Sequence, residues 1–304
     1  MFVRTEPAHV HGIKLGINRT PARIGFKKNA GQNNHLLITV LVGLESVRDG
    51  TASLKDEFST SWSPKDRSRS ALRSREYALV TSLVWITDLI DVYRKQVQKT
   101  DSVFDRSIQD SINRIDGRAE RLSALASNLQ IQLNDPALLM TLFAIKWRNT
   151  LVHSESSTRL NASLSRKLIS VAAQIAETHR GLDIKRSIET FENGTAPTFK
   201  EVASFIAATQ SLVESFDSAA IKKMDIQCYA ESRLRDYFSR EFIGNRQIFS
   251  QYWATNPDKS FQRLSNLLTQ LGFSRGTHIA SLSSEYLKSI AHLTASDARD
   301  RFDE

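Results

Sequence analysis

Residues Asp135 to His153 read DPALLMTLFAIKWRNTLVH. Asp135 is a good N-cap and Pro136 suits the first helical position, so the stretch opens a helix. Its first three turns are nearly all apolar: Leu138, Leu139, Met140, Leu142, Phe143, Ile145 and Trp147. A helix that is hydrophobic on every side is a buried one. Arg148, Asn149 and then His153 follow in the same register. Polar and cationic groups at the end of a buried helix are costly unless something pairs with them. A local conflict of that kind is where a functional site is expected.

Asn149 and His153 are four residues apart and share a helix face; Arg148 lies about 100° from Asn149 around the axis. The three side chains can converge on one phosphate, with Arg148 holding its charge and His153 moving protons. An imidazole is suited to that task because its ordinary pKa, near 6.5, lets it give or take a proton at neutral pH.

The run Arg148-Asn149-Thr150-Leu151-Val152-His153 resembles the motif of the HEPN superfamily, the higher eukaryotes and prokaryotes nucleotide-binding domain. In that motif an Arg, usually followed by a polar residue, precedes a His by four to six positions, late in a small helical bundle. The resemblance implies a metal-independent endoribonuclease, with no cofactor, of the kind found in toxins and antiviral systems. It implies attack of the ribose 2′-OH on the adjacent phosphate, with Arg148, Asn149 and His153 as catalytic residues. It also implies a homodimer, since one helix supplies one His and the reaction profits from both an acid and a base. A toxin role would bring a cognate antitoxin or regulatory partner. The alternative is a non-catalytic helical RNA-binding or partner-binding protein, sensor-like or antitoxin-like, with a degenerate bundle. Basicity and helicity fit both readings.

With 304 residues and 40% hydrophobic composition the chain can build a real core, as one large domain or two modest ones. A net charge of +8 favours a polyanionic partner over a neutral metabolite. The 26 Arg outnumber the 15 Lys, and Arg is the better bidentate phosphate ligand. A single cysteine, Cys228, excludes an internal disulfide framework and a cysteine-rich zinc site; it reads as a small buried residue. No Gly-rich phosphate loop, His-Glu-x-x-His run or Gly-x-Ser-x-Gly elbow is present. With no signal-type apolar segment and no apolar run long enough to span a bilayer, a soluble cytoplasmic protein without membrane contact is expected.

Outward from the motif, the expected fold class is all-α: a HEPN-like helical bundle followed by a second, smaller all-helical module. Residues 1–34 read as a basic flexible arm, broken by glycines and prolines; His9 and His11 lack a third ligand, so no metal is expected there. Residues 35–181 form the bundle and 182–304 the accessory module. Ser63 to Asp66 has the form of a capping box that opens a long helix to about Lys99. Its apolar face runs through Leu72, Leu79, Leu83, Ile86 and Ile90. The start of that helix carries Arg67, Arg69, Arg73 and Arg75, the candidate RNA-binding cluster or a solvated end. Asp88 and Asp91 interrupt it; either could pair with Arg148, against a plainer placement on the exposed face. One helix is expected from Asp101 or Ser102, with an apolar stripe of Ile108, Ile112, Ile115, Ala119, Leu122, Ala126 and Leu129, and another from Leu160 to a stop at Gly181. Thr198 and Glu201 form a further capping box. Arg275 and His278, three apart, fall outside the motif window and read as a loop.

Overall fold

A computed structural model describes residues 14–53, 55–58, 64–153, 159–241, 247–253 and 256–302. His9, His11 and Ser63 lie outside the described residues. The described chain is mostly helical, with one small three-stranded sheet. It divides into two compact units.

One unit comprises Ala22–Gln98 and Ser107–Phe216. It holds α1 (Pro21–Arg48), α2 (Arg67–Gln98), α3 (Arg106–Asn113), α4 (Arg118–Asn128) and α5 (Pro136–Val152). Next come α6 (Ala162–Ser170), α7 (Ala172–Thr178), α8 (Ile184–Glu192) and α9 (Phe199–Lys223) as far as Phe216. The unit is built around α5, which packs against α2, α4 and α6. Leu138, Leu139, Met140, Phe143, Ile145 and Trp147 are buried, as the unbroken apolar run predicts; Leu142 is half-buried. Phe143 and Trp147 meet Phe191 of α8 and Phe205 of α9, with ring centroids 5.2–5.9 Å apart. Such edge-to-face clusters add about 0.5–1.5 kcal/mol per pair beyond area burial. Trp147 Nε1 donates to the Thr195 carbonyl at 3.1 Å, which satisfies its one polar atom.

Several expected boundaries move, each for a physical reason. Helix α1 starts at Pro21, inside the segment read as an arm. Phe26, Ala30, Asn33, Leu37 and Leu41 recur at three- and four-residue steps and are buried. That burial outweighs the cost of about 1 kcal/mol for each of Gly25, Gly31 and Gly43 inside the helix. In α2, Leu79, Leu83, Ile86 and Ile90 are buried, but Leu72 is 55% exposed. The cap of α2 is Asp66, whose carboxylate accepts from the Arg69 N–H at 2.9 Å. The helix expected over 101–129 is two, parted at Gly117 with φ +86, a conformation an L side chain rarely adopts. The segment ending at Gly181 is likewise two helices, α6 and α7. Thr198 and Glu201 form a reciprocal capping box at the start of α9.

The other unit comprises Met1–Pro21, Lys99–Arg106 and Asp217–Glu304. It holds the end of α9, α10 (Ile226–Glu241), α11 (Ile248–Tyr252), α12 (Pro257–Gln270), α13 (Ser284–Ala291) and α14 (Ala295–Phe302). Strand β1 (Leu15–Ile17) lies between β2 (Ser274–Arg275) and β3 (Ala280–Ser281), antiparallel to both. These strands are two or three residues long, too short for an alternating pattern to mark them. Gly16 is required here, because a Cβ would lie 2.2 Å from the Ala280 carbonyl oxygen. His278 follows β2, and its Nε2 lies 2.9 Å from Ser274 Oγ. Cys228 is exposed rather than buried, with its thiol 3.3 Å from the Asp225 carboxylate. That hydrogen bond, with burial and the carboxylate's charge adding to it, raises the thiol above its ordinary value and makes it a poor nucleophile.

Candidate active site

The C-terminal end of α5 carries the candidate trio. Asp135 caps the other end, its carboxylate accepting from the Leu138 N–H at 2.9 Å. With that end capped and the aromatic cluster fixing Phe143 and Trp147, the rotation of the last turn is set. His153 is the C-cap residue: its N–H donates to the Asn149 carbonyl at 2.9 Å, and its backbone leaves the helix in extended conformation. The imidazole is exposed, at the edge of a helix whose body is core.

Arg148 joins the three residues. Its Nη1 lies 3.2 Å from Asn149 Oδ1 and 3.2 Å from His153 Nε2. A guanidinium can only donate. His153 Nε2 can join it only as the acceptor, in the tautomer that carries the proton on Nδ1. The Asn149 carbonyl oxygen is turned to Arg148. The Arg148 side chain is only 11% exposed.

Asp88 of α2 supplies the counter-charge. Its Oδ1 lies 3.6 Å from Arg148 Nη2, and it also forms a closer ion pair with Arg118 at the start of α4. One carboxylate thus ties α2, α4 and α5 together beneath the trio. Arg118 went unnoticed in the sequence, where it stands 30 residues from both of its neighbours with no motif around it. Asp91 is spoken for: Arg94 and Lys95 hold it at 2.8 and 2.9 Å. Burial pushes the Asp91 carboxyl up, but hydrogen bonds from Lys95 and Arg94 outweigh it, and the net displacement is below the ordinary carboxylate value. Arg148 Nε is buried and has no hydrogen-bond partner among the described residues. Such an orphaned donor costs about 1–3 kcal/mol.

The arginine cluster sits on the first turns of α2, which also carries Asp88. Arg67, Arg69 and Arg73 are exposed; Arg75 is half-buried and reaches Glu45 Oε1 of α1 at 3.4 Å. From Arg73 to Asp88 the helix rises about 22 Å, so these arginines do not join the trio directly. Among the described residues, no group of three or more His, Cys, Asp or Glu side chains is placed to hold a metal ion. None of the described helices is long and apolar enough to cross a membrane. No protein-family model, curated protein or solved structure matches the chain.

Proposed function

We propose that the protein is a metal-independent endoribonuclease of the HEPN type, with Arg148, Asn149 and His153 at its active site. The observation that carries this is the 3.2 Å contact between Arg148 Nη1 and an exposed His153 Nε2. A cation and a proton acceptor held side by side at a surface suit attack at a phosphate. As Arg148 turns from His153 Nε2 to the phosphate, the freed lone pair takes the proton of the ribose 2′-OH while that oxygen bonds to the adjacent phosphorus. The P–O5′ bond breaks, and a proton is returned to O5′. The products are a 2′,3′-cyclic phosphate and a 5′-OH. Arg148 stabilises the charge that grows on the non-bridging oxygens. Asp88, shared with Arg118, holds the guanidinium in place, and Asn149 steadies it from the other side.

One His cannot be acid and base at the same moment, and a second copy of the chain would supply the other; a homodimer belongs to this proposal. The 2′-OH is the nucleophile, so DNA is no substrate. In purified protein with EDTA present, RNA should be cut to fragments with cyclic-phosphate and 5′-OH ends, and the 2′-deoxy version should stay whole. Cleavage only with added metal, or equal cutting of the deoxy strand, would overturn the proposal. A second reading draws on the low exposure of Arg148 and its pairing with Asp88: the trio locks the bundle, which binds RNA or a protein partner without cutting. RNA binding by the wild type with no cleavage would select that reading.

A further inference from the structure

Helix α2 carries an exposed row that starts in the arginine cluster and ends at the candidate active site. Arg69, Arg73, Tyr77, Thr81 and Trp85 follow at steps of four and are all exposed, Tyr77 by 74%. Residues four apart are neighbours on a helix surface, so the five form a continuous ridge. Asp88, which pairs with Arg148, lies eleven residues beyond Tyr77 and hence within about 20° of it around the axis. Neither Arg69 nor Arg73 forms an ion pair with a carboxylate among the described residues; Glu76, three residues after Arg73, lies about 60° from it around the axis. Asp88 adds no free negative charge at the far end, because Arg118 and Arg148 share it.

Beside the ridge, α1 and α2 enclose a groove of about 290 Å³, lined by Leu36, Leu37, Val40 and Leu44 and by Tyr77 and Trp85. Two large aromatic side chains held open to solvent beside free guanidinium groups match what a single nucleic-acid strand requires. Cations follow its phosphates, and flat rings take its bases regardless of sequence. A duplex would leave those rings without a partner.

We propose that the α2 ridge is a track for single-stranded RNA, with Arg69 and Arg73 on phosphates and Tyr77 and Trp85 stacking bases, which leads the strand to Arg148 and His153. The track deepens the nuclease proposal and rests on it for its end point. The 22 Å from Arg73 to Asp88 spans about six or seven nucleotides at the stacked spacing of 3.4 Å per residue of a strand, and fewer if the strand is stretched. Substrates shorter than that forgo the arginine contacts.

The test is binding of a fluorescent 12-nucleotide RNA with every ribose 2′-O-methylated, so that it cannot be cut. The charge-reversing pair Arg69→Glu/Arg73→Glu should weaken it at least tenfold at 0.1 M salt. It should also make the log–log salt slope shallower by about 1.4, two phosphate contacts at 0.7 each. Tyr77→Ala and Trp85→Ala should each cost about tenfold through lost stacking. The charge-matched pair Arg166→Glu/Lys222→Glu, exposed on α6 and α9, should stay within twofold of wild type. If the α2 variants also stay within twofold, the track is wrong. It is equally wrong if Tyr77→Ala dissociates a dimer without touching RNA affinity, which would give the face to a second copy. Cleavage is scored separately on ordinary RNA. A protein that binds along α2 and cuts nothing keeps the track and loses the nuclease; one that cuts RNA with α2 variants binding as wild type does the reverse.

Discussion

His153 stands where α5 leaves its helical path, and it is exposed. His153→Ala should therefore fold as wild type by circular dichroism while RNA cleavage falls by about 10²–10⁴-fold, the usual worth of a positioned acid–base group. Asp88→Asn tests positioning instead of chemistry. Arg118 and Arg148 would lose their shared charge, and kcat should fall about ten- to a hundredfold with little change in KM, as a guanidinium displaced by an ångström predicts. A change confined to KM would mean that Asp88 acts on binding alone. Arg148 and His153 were legible in the sequence because their spacing and the apolar run before them are local facts. The Arg148–Asn149 hydrogen bond was not legible, since the carbonyl meets Arg148 only once rotamers are fixed. Arg118 was invisible, because packing between helices rather than any pattern brings it to Asp88.

At the scale of elements, short-range chemistry could be read and long-range overrides could not. Asp135-Pro136 and the Thr198/Glu201 box announce helix starts through hydrogen bonds within four residues. Asp135→Ala should cost about 1 kcal/mol in urea unfolding. The i, i+3, i+4 stripe of Ile108 to Leu129 looks continuous because Gly117 occupies a gap between apolar positions. Gly117→Ala should destabilise by about 1–2 kcal/mol, as it forces a side chain to φ +86. Inside α2, Asp91 pairs with Arg94, of which only 2% of the side chain is exposed. Asp91→Ala should cost about 3 kcal/mol at pH 7 by leaving that cation buried without its partner. The folded carboxyl lies below its unfolded value of about 3.9. Its contribution is thus present above pH 4 and lost as pH falls through the folded value. Wild type and Asp91→Ala should converge in stability only below about pH 4.

Across the whole molecule, the chain divides into two compact units, each assembled from segments distant in sequence. Residues 15–17 pair with 274–275 and 280–281, a contact that strands this short cannot advertise. Helices α8 and α9 as far as Phe216 belong to the unit with the candidate site, because Phe191 and Phe205 complete the cluster around Trp147. A shared active site between two copies makes a prediction at this scale. When wild type is mixed with His153→Ala and allowed to exchange, activity should fall as the square of the wild-type fraction. A linear fall would mean that each chain works alone.

The central claim is tested most directly by mapping RNA ends after treatment with purified wild type and, side by side, His153→Ala. The account predicts 2′,3′-cyclic phosphate and 5′-OH ends from the wild type in the presence of EDTA, and intact RNA from the variant. Equal cleavage by both proteins would remove His153 from the chemistry and contradict the account.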